Sequence, residues 1–212
     1  MRDNKTRWIT DTPEGHSQWL IDHFRRLARE GADLGGEARF VSAVIDPGTS
    51  VLDAGCGTGR VGAALNSAGY TVVGVDADEL LIAAARADHP GVDWVVADLR
   101  DLDLRDAGQA RRMFDSAVLA GNVMPFLEPD TEVLVLRSVA AHVRDGGPVI
   151  VGFGSEHGYT VDEFDSHVVQ AGLRIDNRFS TWSLAPWRRG SPFSVTILRS
   201  AAHRTGARVA CH

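Results

Sequence analysis

The chain alternates between two hydrophobic periods along most of its length. Residues 16–30 (HSQWLIDHFRRLARE) put Trp19, Leu20, His23, Phe24 and Leu27 at the spacing of one helical face. A second helix is expected over residues 36–45, stopped by Pro47 and Gly48. The run Val51-Leu52-Asp53-Ala54-Gly55 is short and apolar and ends in a glycine, which reads as a buried strand entering a turn. Residues 59–68 return to the helical period, with Gly69 as C-terminal cap. TVVGVD is a second buried strand, and the helix after it, over residues 79–88, ends at His89-Pro90. VDWVVAD, FDSAVLAGN and PVIVGFG supply the third, fourth and fifth strands. Between the last two, residues 131–143 form a helix expected to turn Val133, Leu134, Leu136, Val139 and Ala140 inward. A further helix covers residues 161–171 and ends at Gly172. His142 and His167 fall inside these last two helices and are assigned to solvent.

The pattern then changes. LRIDNRFSTWSL and PFSVTILRS alternate as two half-exposed strands joined by a Pro/Arg/Gly loop, the mark of a hairpin. Trp182, Trp187 and Phe193 cluster there and are assigned to packing. Continuous apolar strands alternating with amphipathic helices imply an α/β fold: a mostly parallel, Rossmann-like sheet with helices on both faces and an antiparallel hairpin at its end. No repeat or low-complexity linker divides the chain, so residues 1–200 are expected to form one domain, with 1–46 as a helical cap or lid and 201–212 as a tail.

Composition narrows the function. A length of 212 residues suffices for one full core, and 44% hydrophobic with 24% charged residues is ordinary for a soluble protein. A net charge of −6 without any Lys/Arg block excludes a protein that lives on phosphate contacts, so no nucleic-acid partner is expected. Lys5 is the only lysine among 22 basic residues and lies near a terminus, which argues against a catalytic lysine. The two cysteines, Cys56 and Cys211, sit in a glycine loop and at the chain end; no structural disulfide is expected, and a reducing cytoplasm fits. The first residues lack the apolar core of a secretory signal, and no apolar run is long enough to span a membrane.

The strongest motif is the glycine loop in Val51-Leu52-Asp53-Ala54-Gly55-Cys56-Gly57-Thr58-Gly59, set between a strand and a helix. A phosphate-binding P-loop would end in Gly-Lys-Ser/Thr, where this chain has Thr58-Gly59-Arg60. A dinucleotide fingerprint would need a third glycine where Arg60 stands. The segment VLDAGCGTGR instead closely resembles the first motif of the class I S-adenosylmethionine-dependent methyltransferases. Three further segments support the resemblance in order: Val72–Asp76 and Val95–Asp98, each ending in an acid, and the Phe114–Asn122 run. The resemblance implies the seven-stranded sheet order 3-2-1-4-5-7-6 and S-adenosylmethionine as cofactor. It assigns Asp53, Ala54, Gly55, Cys56, Gly57 and Gly59 to the loop around the methionine part, with Asp53 toward its amino group and Gly59 opening the helix. Asp76 and Ala77 fall to the ribose, and Asp98 and Leu99 to the adenine. Ala120, Gly121 and Asn122 then line the methyl-transfer edge. Asp78 is the better helix cap of the second acidic pair, leaving Asp76 for the ribose. Asp115 starts its strand, at the edge away from ligands, and is given a structural role.

Methyl transfer draws its reactivity from the cofactor, so the protein mainly aligns the acceptor and, where needed, takes its proton. The fourth-strand end, Ala120-Gly121-Asn122-Val123-Met124-Pro125, lacks Asn-Pro-Pro-Tyr, lacks a strand-end carboxylate and lacks Pro-Cys. Those are signatures of the family's subclasses, so the resemblance implies a small-molecule acceptor with an oxygen, nitrogen or sulfur nucleophile, with a protein side chain as the alternative, and no metal. Histidine suits a general base near neutral pH. His157, just after the fifth strand, and His16, at the start of the expected lid beside Trp19, are the catalytic candidates. Two rivals remain at this level: a nicotinamide-dependent oxidoreductase, opposed by Arg60 and a missing Tyr-x-x-x-Lys pair, and a cofactor-binding module without catalysis.

Overall fold

The computed structural model describes residues 6–201; Lys5, Cys211 and the expected tail beyond Ala201 lie outside the described residues. Seven strands form one sheet: β1 (Ser50–Ala54), β2 (Thr71–Asp76), β3 (Asp93–Val96), β4 (Ser116–Leu119), β5 (Val149–Gly154), β6 (Leu173–Phe179) and β7 (Phe193–Ser200). Their order is β3-β2-β1-β4-β5-β7-β6, as the resemblance implied. The first five pair in parallel, and β7 runs antiparallel between β5 and β6.

Period-2 alternation sorts the strand residues onto two buried faces. Val51, Val72, Val118 and Ile150 point to one side, where they meet Phe40 and Val41 of α3 (Gly36–Val44) and Val61 and Leu65 of α4 (Arg60–Ser67). Leu52, Val73, Leu119 and Val151 point to the other. There they meet Leu136 and Val139 of α6 (Glu132–Ala140) and Phe164 and Val168 of α7 (Val161–Gln170). Fully burying one such side chain contributes about 1.5–3 kcal/mol, so a strand buried on both faces cannot accept a polar residue without a ligand or partner to justify it. Asp53, on β1 and 1% exposed, is the buried carboxylate among these strand residues.

Three further helices complete the fold: α1 (Arg7–Thr10), α2 (His16–Arg29) and α5 (Glu79–Asp88). The strap formed by α1 and α2 does not reach the sheet. Its one fully buried side chain, Ile21, packs against Leu81 and Ala84 of α5. Trp19, expected on the packed face, is 55% exposed, because the contact with a neighbouring helix is narrower than a contact with a sheet.

Other expectations are corrected in the same way. The α6 helix is shorter than 131–143, and its buried residues are Val135, Leu136 and Val139; Leu134 faces solvent. His142 is fully buried rather than exposed. The helix stops before it, and its ring is tucked under the turn, Nδ1 bonding Ser138 O (2.8 Å) while Nε2 accepts from Leu104 N (3.1 Å). Burial lowers its pKa. His167 is half-buried and shares a 2.8 Å hydrogen bond with the Tyr159 hydroxyl. The strand β7 is buried rather than half-exposed, since it sits between two others, and only the edge strand β6 keeps an open face. Trp182 packs edge-on against Phe40, and Asp115 ties the strand starts together through Ser50 and Arg144. Among the described residues no helix is long and apolar enough to cross a membrane.

Candidate active site

The parallel strands β1 to β4 deliver their C-terminal ends to one edge, and the loops there build the site. After β1 the backbone turns sharply, and the amides of Gly55 and Cys56 both donate to Val75 O at 2.7 and 3.0 Å. Gly57 follows at φ 54°, in the left-handed region that a side chain resists, and a Cβ on it would meet nothing within 4 Å. Its amide donates to Asp76 Oδ2 at 2.8 Å, so the loop is bound to the end of β2.

Two carboxylates face this loop. Asp53 Oδ2 accepts from Gly62 N (2.8 Å) in the first turn of α4. Burial pushes its pKa up to about 7; that amide and Arg60 only partly offset the effect, and Asp76 adds to it. Asp76 accepts from Gly57 N on one oxygen and from Asp78 N (2.9 Å) on the other. Its pKa is raised too, again chiefly by burial. Asp78 is the cap: its Oδ1 accepts from Leu80 N and Leu81 N, opening α5. Its Oδ2 accepts from Trp8 Nε1 (3.0 Å) and from Ser17 Oγ, which fastens the strap over the cleft.

At the end of β3, Asp98 caps a single 3-10 turn through Arg100 N (2.8 Å) and is also bonded by the Arg100 guanidinium. Gly121 and Asn122 follow β4, and the Asn122 carboxamide accepts from Gly154 N (2.7 Å), joining the ends of β4 and β5.

Two adjoining cavities open here. The narrower, about 120 Å³, is lined by Gly55, Gly57, Asp76, Ala77, Asp98, Leu99, Gly121 and Asn122 under the strap residues Trp8 and Leu20. The wider, about 620 Å³, is lined by Asp53, Cys56, Ala120, Asn122, Phe126 and both candidate histidines. Trp8, Gly55, Gly57, Gly121, Asn122 and Phe126 border both. The structure therefore brings His16 and His157 to one chamber from opposite ends of the chain. The His16 ring lies between Trp8 (centroids 4.7 Å apart, edge-on) and Trp19 (5.3 Å, stacked). The His157 ring lies 5.0 Å from Phe126, on a 3-10 turn after β5.

Two of the loop residues stand back from the cavities. Ala54 is fully buried in the core, and Gly59 opens α4 beneath the Trp94 indole, which a Cβ there would approach to 2.6 Å. Cys56 is lined into the wider cavity, but burial raises its thiol pKa well above normal, so it stays a neutral thiol. Sequence reasoning placed Trp8 in the covering segment but missed its bond to Asp78, and it missed Phe126 and the second task of Asp78. No spacing rule joins positions 8 and 78, although an indole ahead of an amphipathic helix was a visible signal.

An adenosyl cofactor fits this arrangement on the protein's own terms. Paired amides hold Asp76, one on each oxygen, where it lines the narrow cavity, a placement that suits a ribose diol. The buried acid Asp53, otherwise costly, suits an ammonium, and no cluster of amides and cations for a diphosphate is present at the loop among the described residues.

Comparison with known proteins agrees. A family described as "Methyltransferase domain" matches residues 51–147. Cypemycin N-terminal methyltransferase of Streptomyces sp is 36% identical over 105 residues, 47% of this chain and 40% of that protein. Glycine N-methyltransferase of Rattus norvegicus is 32% identical over 114 residues, 48% and 39% of the two chains. The chain thus spans about two fifths of the length of these curated relatives. A TehB-like S-adenosylmethionine-dependent methyltransferase from Corynebacterium glutamicum, known by crystal structure, matches throughout. It is 36% identical with a TM-score of 0.81, covering 89% of this chain and 100% of that one. With this fold, this loop and that full-length relative, the chain belongs to the S-adenosylmethionine-dependent methyltransferases, and S-adenosylmethionine is its cofactor.

Proposed function

We propose that this chain is one methyltransferase domain that transfers the cofactor's methyl group to a small-molecule acceptor held in the wider chamber, and that it works in the cytoplasm. The observation that carries this reading is the shared wall: one set of loop residues borders both a narrow cleft at the acidic strand ends and a chamber lined by two imidazoles. In this reading Gly55 and Gly57 enclose the methionine part, Asp53 receives its amino group, Asp76 and Ala77 receive the ribose, and Asp98 and Leu99 flank the adenine. Ala54 and Gly59 act from behind, shaping the turn. Ala120, Gly121 and Asn122 set the edge where acceptor and methyl group meet.

When bound, the cofactor supplies an electrophilic methyl on a sulfonium. The chain's own residues do the rest. The strap closes the chamber and excludes water, the aromatic walls orient the acceptor, and His16 or His157 takes a proton from its nucleophilic atom. The test is a turnover assay with the methyl donor against a panel of metabolites, read as demethylated cofactor product and as added acceptor mass. Cofactor binding without turnover of any panel member, small molecule or peptide, would favour a binding module without catalysis.

A further inference from the structure

We infer that the acceptor is a small planar aromatic molecule, uncharged apart from one weakly acidic O–H or S–H that receives the methyl group. This rests on the reading above and narrows its acceptor class. The chamber is bounded by a continuous run of rings: His157 to Phe126 at 5.0 Å, Phe126 to Trp8 at 5.5 Å and 85°, Trp8 to His16 at 4.7 Å, and His16 to Trp19 at 5.3 Å. Near-perpendicular rings form corners that offer a flat guest one face and one edge, the arrangement aromatic pairs prefer.

The walls offer no free counter-charge to an acceptor that binds as an ion. The guanidinium on the chamber wall, Arg60, is committed: it donates to Leu34 O and to both carboxylate oxygens of Glu37, and lies over the Phe24 ring. A carboxylate or phosphate acceptor would find no uncommitted guanidinium on the described chamber wall. An ammonium acceptor fares no better. Asp11 is engaged by Arg7 and Thr10, Asp53 is buried and bonded to the Gly62 amide, and a bound sulfonium repels a second cation.

The chemistry agrees with the walls. Phenols and thiols have acidities of about 10 and 8.5, within reach of a neutral imidazole. In the transfer the acceptor's O–H or S–H proton passes to an imidazole nitrogen of His16 or His157. The electron pair left on oxygen or sulfur forms the bond to the methyl carbon. The pair of the broken carbon–sulfonium bond stays on sulfur, leaving a neutral thioether.

The experiment uses the full chain with 2-naphthol, thiophenol, 2-naphthoate and cyclohexylamine. Calorimetry with the methyl donor comes first, then tryptophan fluorescence with each probe, then turnover. The expected result is donor binding, quenching of Trp8 and Trp19 by 2-naphthol and thiophenol, and methylation of one or both. Trp19→Leu and Phe126→Leu should raise KM for the aryl acceptor about three- to tenfold, the worth of one aromatic contact, and Trp19→Phe should restore it. Donor binding with preference for naphthoate or cyclohexylamine overturns this inference alone, as does donor binding with no quenching or turnover by either neutral aryl probe. Failure to bind the donor overturns the reading beneath it as well.

Discussion

Asp53 offers the sharpest quantitative test of how this site meets its cofactor. In the free protein burial holds its pKa at about 7, where an exposed carboxylate would ionise near 3.9. An ammonium brought beside it favours the ionised form, so binding expels the proton. With a free-state pKa of about 7, the ionised fraction rises from about one eleventh at pH 6 to about ten elevenths at pH 8. Affinity for the demethylated cofactor product should therefore increase about tenfold across that range, with about 0.9 proton released at pH 6 and about half a proton at pH 7. Calorimetry in two buffers of different ionisation enthalpy measures both quantities. Asp53→Asn should bind more weakly at pH 8 and lose this component of the pH dependence, which separates it from any titration of the ligand.

The same group sets a sign for stability. Its folded pKa lies above its unfolded value, so its contribution is fully present below about pH 4 and is lost as pH rises through 7, by up to about 4 kcal/mol. Asp53→Asn should flatten that component in denaturant titrations. Proton release absent at pH 6, together with parallel affinity profiles for the two proteins, would refute the argument.

Asp76→Ala removes a carboxylate held by two amides and should weaken cofactor binding about tenfold to a hundredfold, roughly 1.5–3 kcal/mol, while the protein stays folded by circular dichroism. Unchanged affinity would return Asp76 to a purely structural role. Gly74→Ala places a Cβ 2.1 Å from the Trp94 ring, so the midpoint of urea unfolding should fall by an amount equivalent to about 1–3 kcal/mol; an unchanged midpoint would mean the indole moves freely. For the strap, amide exchange over residues 8–30 should slow when cofactor product binds, and Trp8→Phe, which loses the bond to Asp78, should exchange faster in both states. Equal protection with and without product would make the strap a fixed part of the core and remove the claim of His16 to catalysis.

Much of this was legible in the sequence because the strands are buried on both faces. Runs such as Val72–Val75 have no amphipathic alternative, and an acid that closes such a run must serve something at the sheet edge. The Asp78 cap followed from cap chemistry and is the cap in the structure, beside an Asp76 carboxylate held by two backbone amides. Helix faces were less legible. In α6, apolar residues occupy most positions, so periodicity alone could not choose between Leu134 and Val135; packing on the sheet chose Val135. His142 was misread for a related reason, since its burial depends on an amide of Leu104, 38 positions away.

The strap shows why the chamber was the least legible part. Its walls are set by contacts between positions 8 and 78 and between 8 and 126, which no local rule encodes. Yet the physical logic is compact. Asp78 donates its amide to Asp76 and receives Trp8 and Ser17 on its own carboxylate, so one residue touches both the proposed ribose acid and the strap. Trp8 in turn packs edge-on against His16 and Phe126, which border the chamber. In the function proposed above, a shift of the Asp76 carboxylate on cofactor binding reaches the strap's anchor through the Asp78 amide two residues on. Ordering the strap completes the acceptor's walls, so the chamber is best formed when the cofactor cleft is filled. In that proposed function, the candidate base His16 is positioned by the same strap whose anchor, Asp78, is bonded to the proposed ribose acid.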